Sequence, residues 1–108
     1  MNYHHYQRYI DACLHCAAIC NHCASSCLKE EDTAMMARCI QLDMECAIVC
    51  NAAAQLMSLG SELAPDAIKL AIDFCERCAE ECEKHDNLHC EECAKACRNC
   101  AEKCTNLL

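Results

Sequence analysis

The sequence has little of what most globular folds are built from. It contains no Trp, one Phe, one Val, one Gly and one Pro. Because tight turns depend on Gly and Pro, this scarcity excludes a β-sandwich or a loop-rich disulfide scaffold. Most of the other residues are helix formers such as Ala, Leu, Glu, Lys, Gln and Met. The composition therefore predicts an all-α protein.

Large apolar side chains are also scarce. Ile, Leu, Val and Phe together supply 18 of the 108 residues, and the formal net charge is −8. A chain of this composition normally stays disordered unless something else fills its core. The sequence contains 16 cysteines, and we expect these side chains to take that place.

Other absences bear on location and partners. No apolar run approaches membrane-spanning length, and the N-terminus lacks the apolar segment of a signal peptide. Lys and Arg total 9 against 17 acidic residues, which argues against nucleic acid as a partner. We expect a cytoplasmic protein with no membrane partner, in a compartment where thiols stay reduced.

Four helical segments can be placed between short breaks, at about residues 3–28, 32–59, 61–84 and 86–105. Gly60 stands where a helix C-terminus favours glycine, and Pro65 falls in the first turn of the third segment. Residues suited to N-caps precede the three later segments: Asp32, Ser61, and Asp86 or Asn87. Short connections predict an up-down-up-down antiparallel four-helix bundle, one domain spanning residues 1–108.

Cysteines recur along every segment at the spacing of a helix stripe that faces a core. In the first and fourth segments the steps are three and four residues without interruption, as in a heptad seam. The rows are Cys13, Cys16, Cys20, Cys23 and Cys27; Cys39, Cys46 and Cys50; Cys75, Cys78 and Cys82; and Cys90, Cys93, Cys97, Cys100 and Cys104. All 16 sulfurs are expected to line one central column.

Continuing each stripe by the same steps shows what else faces the column. The remaining positions include Met, His and Asp, all of which can bind metal ions. They are Tyr9, Met36, Asp43, Ala53, Met57, Ile68, Ala71, His85 and His89. In contrast, Met35 and Met44 lie off the stripe, and the acidic residues Glu80, Glu81 and Glu83 are interpreted as a solvated face.

Two interpretations of the cysteine rows need no metal. A single Cys on such a stripe usually means packing alone, but 16 in register do not, because ordinary cores use Leu and Ile. Neighbouring stripe positions have Cβ atoms roughly 5–6 Å apart, whereas a disulfide needs roughly 3.5–4.5 Å. Disulfides between helices stay open, but a reducing cytoplasm disfavours them. A metal-binding core is therefore the preferred interpretation.

Charge distinguishes among the soft metals. Sixteen thiolates would carry a charge of about −16, and four Zn(II) ions in Cys₄ sites would leave about −8 buried, which is prohibitive. Cu(I) with bridging thiolates can approach one ion per sulfur and neutralise the core. Zn(II) or Cd(II) sequestration stays open as an alternative. An iron–sulfur electron-transfer protein is less favoured, because rows on rigid helices do not wrap around a compact cluster.

The chain resembles the bacterial cytosolic copper storage proteins, which are cysteine-lined four-helix bundles. The resemblance rests on Cys20-Asn21-His22-Cys23, Cys39 to Asp43, Glu45-Cys46-Ala47, Lys84-His85-Asp86, His89-Cys90 and Cys93 to Cys97. It implies many Cu(I) ions held by Cys pairs inside the bundle, a homotetramer, the absence of a signal peptide, and loading through a mouth that carries His.

By position, His85 and His89 match that mouth and Asp43 matches an inward acidic residue. The sequence departs from the family pattern at Tyr9, Ile68 and Ala71, where thiols often continue, which predicts a lower capacity at that end. No nucleophile–base pair or phosphate loop is present, so we do not expect an enzyme.

In the predicted topology, the ends of the first and third helices meet the starts of the second and fourth. That end collects Cys27, Met36, His85, Asp86 and His89, and we expect copper to enter there. The opposite end collects Tyr9, Met57, Ile68 and Ala71 around Cys13 and Cys104, and we expect it to be closed by apolar side chains.

Overall fold

A computed structural model describes residues 3–108. Its helices are α1 (Tyr3–Cys27), a 3₁₀ helix (Ala34–Met36), α2 (Ala37–Ser58), α3 (Ala64–Cys82) and α4 (Leu88–Leu107). The four-helix prediction is confirmed, with boundaries shifted by a few residues. Met1 and Asn2, included above in the domain 1–108, lie outside the described residues.

The four α-helices form a closed antiparallel ring. Each packs against its neighbours in the chain, and α1 also packs against α4. The bundle measures 46 × 19 × 17 Å, so a long, narrow core runs between the helices. Within the described residues, no helix is both long and apolar enough to cross a membrane.

Helix termini explain the positions of the turns. Gly60 adopts φ 65°, the left-handed conformation that glycine takes without a Cβ clash. The Gly60 N–H donates to the Met57 carbonyl and the Ser61 N–H to the Leu56 carbonyl, which is the Schellman pattern and ends α2. Pro65 lies in the first turn of α3, as predicted.

The N-caps differ in detail from the prediction. Asp32 Oδ1 accepts a hydrogen bond from the Met35 N–H at 3.2 Å, so it satisfies an N–H of the 3₁₀ helix and not of α2 itself. Ser61 Oγ accepts from the Leu63 N–H at 3.1 Å, one turn before the helix proper. Asn87 precedes α4 in an extended conformation, and its backbone carbonyl accepts the first helical N–H bonds.

Small side chains let the helices approach closely. All 16 cysteines are at most 1% exposed, and they are flanked by buried alanines that include Ala17, Ala47, Ala79 and Ala94. A Cys or Ala at an interhelical position occupies far less volume than Leu. The core is therefore a column of sulfur with little aliphatic material around it, which confirms the inward orientation of every cysteine row.

The end of the bundle that holds Met57 and Ile68 is closed by apolar side chains. Both are completely buried, and Tyr6 and Ile10 of α1 are 4% exposed beside them. Tyr9 is predicted on the inward stripe, and this prediction is wrong: Tyr9 is only half-buried and packs against the outside of the core. Counting back three residues from Cys13 gives Ile10, which is buried, whereas counting back four gives Tyr9, which is only half-buried.

Candidate metal centre

The sulfur atoms form a continuous column and not a set of separate pairs. Neighbouring Sγ atoms on different helices lie 3.5–4.0 Å apart, from Cys39–Cys82 at 3.5 Å to Cys27–Cys39 at 4.0 Å. The contacts continue through Cys50–Cys75 at 3.6 Å to Cys13–Cys104 at 3.9 Å near the closed end. All 16 cysteines are free thiols. A metal ion placed between any two neighbours can bridge them.

Groups of four ligand atoms lie within 4.8 Å of one another at several levels of the column. Several of these groups share members, so ions at those levels would share thiolates. The groups include Cys16, Cys46, Cys50 and Cys75; Cys16, Cys20, Cys46 and Cys97; Cys20, Cys78, Cys93 and Cys97; Cys23, Cys27, Cys39 and Cys90; and Cys23, Cys39, Asp43 and Cys82. Shared sulfurs suit bridging Cu(I) and not isolated tetrahedral Zn(II) sites.

Asp43 is completely buried inside the column. Its Oδ1 lies 3.1 Å from Cys78 Sγ and 3.3 Å from Cys93 Sγ, and its Oδ2 lies 3.8 Å from Cys39 Sγ. Burial, followed by repulsion from Cys93 and Cys78, raises the pKa of Asp43 to about 11. The carboxyl is therefore protonated at neutral pH when the core holds no metal.

This protonation predicts a pH dependence for the apo-protein. The pKa of Asp43 is above its ordinary value of 3.8, so its contribution to the free energy of unfolding is complete below about pH 4. That contribution falls as the pH rises towards 11, by at most about 1.4 kcal/mol per pH unit. Asp43→Asn should remove this slope between pH 4 and 9, as measured by urea denaturation of the apo-protein. Parallel curves for the two proteins would contradict the prediction.

Two thiols at the end of the column that lies opposite Met57 and Ile68, those of Cys27 and Cys90, are also neutral without metal. Burial, with a further contribution from Cys39, raises the pKa of Cys27 to about 12. Burial and the neighbouring thiols raise the pKa of Cys90 as well. Cys27 and Cys90 are thus uncharged S–H groups in the apo-protein, and each of them must release a proton before it binds a metal ion as a thiolate.

His89 faces the column from the first turn of α4. Its Nδ1 lies 3.5 Å from Cys90 Sγ, 3.6 Å from Cys23 Sγ and 3.8 Å from Cys27 Sγ. Its Nε2 lies 2.9 Å from Glu30 Oε1, and the side chain is 13% exposed. His89 therefore stands between the outermost thiols and the surface.

His85 lies at the same end but has a different partner. Its Nε2 is 3.0 Å from Glu81 Oε2, and Glu81 also pairs with Arg38 at 3.6 Å and Lys84 at 3.4 Å. From the sequence, Glu81 is interpreted as part of a solvated acidic face. That interpretation is wrong for Glu81, which is 7% exposed and joins α2 to the end of α3.

The other residues predicted at this end also meet there. Met36 is 3% exposed, whereas Met35 is exposed. Met36, His85 and Asp86 line a surface cavity of about 640 Å³ between the α1–α2 and α3–α4 connections. We call this end of the bundle, with His85, His89 and that cavity, the mouth. Sequence reasoning found the two histidines and missed their carboxylate partners Glu30 and Glu81.

Comparisons with known proteins match nearly the whole chain. The uncharacterized cysteine-rich protein YhjQ of Bacillus subtilis (strain 168) is 44% identical over 98 residues, which are 91% of each chain. The structure of the Cu(I)-bound copper storage protein BsCsp3 aligns with a TM-score of 0.90 at 42% identity, covering 94% of this chain and 95% of that one.

A cytosolic copper storage protein from Streptomyces lividans, in a structure with five coppers, aligns with a TM-score of 0.91 at 37% identity. The alignment covers 94% of this chain and 90% of the other. The model of the family described as copper storage protein matches residues 2–108. The all-α bundle, its cysteine-lined core and these similarities lead to one conclusion: the chain belongs to the copper storage protein family.

Proposed function

We propose that this protein stores and buffers Cu(I), holding many ions in the sulfur column. The observation that carries the proposal is that neighbouring ligand groups share thiols along the core. Shared, bridging thiolates allow nearly one Cu(I) per sulfur, which neutralises a buried charge that isolated divalent ions would leave uncompensated. The structures of two similar proteins, BsCsp3 and the Streptomyces lividans protein, are described as holding copper.

An anaerobic titration of the apo-protein with Cu(I), against a competing chelator and with metal analysis of the end point, tests this function. We expect uptake of roughly one ion per thiol. Saturation at one to four ions would overturn the storage function and favour discrete Zn(II) or Cd(II) sites. A brown protein with bound iron would favour the electron-transfer alternative, since a Cu(I) thiolate protein is colourless.

The proposal assigns the column thiols as ligands, with Asp43 among them and with Met36, His85 and His89 acting at the mouth. It includes no catalytic step, since no nucleophile–base arrangement was found in the sequence. It places the protein in the cytoplasm, because thiols stay reduced there. The Streptomyces lividans relative is described as cytosolic, which supports this location. The copper donor and acceptor are left open.

We further propose that the bundle assembles as a homotetramer. The support in the structure is a set of exposed apolar side chains on α1 and α2, with Leu14 47%, Met44 54% and Ile48 67% exposed. Apolar patches of this kind are typical of interaction surfaces. Analytical ultracentrifugation of the apo-protein measures the mass, and a 12.1 kDa species at micromolar concentration would contradict the tetramer.

A further inference from the structure

Glu30 contacts the ring nitrogen of His89 that points away from the thiols. Glu30 Oε1 lies 2.9 Å from His89 Nε2, and an ionised carboxylate can only accept a hydrogen bond. The proton of the neutral imidazole is therefore held on Nε2, which donates to Glu30. Nδ1 is left with a lone pair directed at the Sγ atoms of Cys90, Cys23 and Cys27.

The opposite tautomer would lose both interactions. A lone pair on Nε2 would face the Glu30 carboxylate, and an N–H on Nδ1 would occupy the position where a metal ion approaches the thiols. Only the tautomer with the proton on Nε2 can act as a neutral ligand for a soft cation at this point.

The backbone holds Glu30 in place for this task. Its N–H donates to the Cys27 carbonyl at 3.2 Å, and its own carbonyl accepts from Thr33 Oγ1 at 3.2 Å. Glu30 thus sits in a hydrogen-bonded turn that begins at Cys27, one of the thiols that His89 contacts. This turn fixes the backbone of Glu30 next to the outermost thiols, from where its carboxylate reaches His89 Nε2.

We propose that Glu30 is a positioning residue for Cu(I) loading, because its carboxylate fixes His89 with the Nδ1 lone pair towards the outermost thiols. The inference rests on the proposed function and adds to it a residue outside the predicted ligand set. His85 and Glu81 repeat the contact between Nε2 and a carboxylate at 3.0 Å. His89 differs from His85 in that its Nδ1 also contacts three sulfurs, and His89 is therefore the histidine that transfers copper ions to the column thiols.

The test compares Glu30→Ala with Glu31→Ala. Glu31 is the exposed neighbouring acid, so both variants lose one negative charge at the mouth. Cu(I) loading is followed anaerobically by stopped-flow absorbance, and total capacity is measured by titration. The tautomer of His89 is read from the side-chain ¹⁵N shifts of the apo-protein. We expect Glu30→Ala to load about tenfold more slowly than wild type, as outer-shell changes typically cost, and Glu31→Ala to load like wild type.

The ¹⁵N shifts of the wild type should show a proton on Nε2 of His89, and those of Glu30→Ala a mixture of tautomers. Equal loading rates in the two variants, or an Nδ1–H tautomer in the wild type, would overturn the proposal. A slow Glu30→Ala variant with an unchanged tautomer would also overturn it, since the carboxylate would then act through charge alone. A low capacity in the wild type would instead overturn the storage function, and the two failures are thus distinguished.

Discussion

Loading with Cu(I) is expected to raise the melting temperature of this protein by tens of degrees. Ions that bind only the folded state each add about 2.7 kcal/mol at a free concentration one hundred times their Kd, so even four independent ions add about 11 kcal/mol. In a domain of this size, 1 kcal/mol corresponds to a shift of roughly 4–8 °C. Thermal melts followed by far-UV circular dichroism, with and without bound copper, measure the effect.

The same melts report on the apo-protein, which is expected to be helical before metal is added. Protonated thiols are small apolar groups, and the 16 cysteines are packed inside a closed ring of helices. A Cu(I) chelator should return the loaded protein to the apo melting curve, which serves as the control. An apo chain with random-coil ellipticity would instead indicate a metal-folded protein, comparable to a zinc finger.

Removal of the mouth histidines is expected to slow loading markedly while leaving total capacity almost unchanged. His89 contacts three thiols through Nδ1, whereas His85 is paired with Glu81. His89→Ala should therefore be slower than His85→Ala, and the double variant slowest, by at least about tenfold relative to wild type. The thiols hold the copper, so the end point of the titration should not move.

Stopped-flow loading of the apo-proteins provides the measurement, with His22→Ala as the matched control. His22 is an exposed histidine on the outer face of α1, between Cys20 and Cys23 in sequence. If the double variant loads at the wild-type rate, the ions do not pass the mouth. They would then enter through transient opening of the helices or from the end closed by Met57 and Ile68.

Much of the fold was predictable because one constraint repeats along the chain. The steps of three and four between Cys13 and Cys27 and between Cys90 and Cys104 fix which face of each helix is buried. Gly60 and Pro65 mark helix ends through backbone geometry that few other residues share. The Asp43 side chain could be placed in the core because it continues the stripe from Cys39 to Cys46.

The errors occur where periodicity gives two answers or none. From Cys13, steps of three and four point to Ile10 and Tyr9 equally well, and only packing of the helix end decides between them. Glu30 and His89 are 59 positions apart in the sequence, and Glu30 lies in the connection between α1 and α2. Helical periodicity does not predict where a side chain of such a connection points. Glu81 looked solvated within an acidic run, but Arg38 of the neighbouring helix covers it.

The burial of the thiols also bears on their reactivity while the protein is empty. Oxidation by peroxide requires a thiolate that the oxidant can reach, and it proceeds through sulfenic acid to irreversible products. The cysteines of the column are at most 1% exposed, and near the mouth the raised pKa values of Cys27 and Cys90 keep these thiols protonated. An empty bundle is therefore a chemically durable state, in which a dense array of thiols can persist until copper arrives.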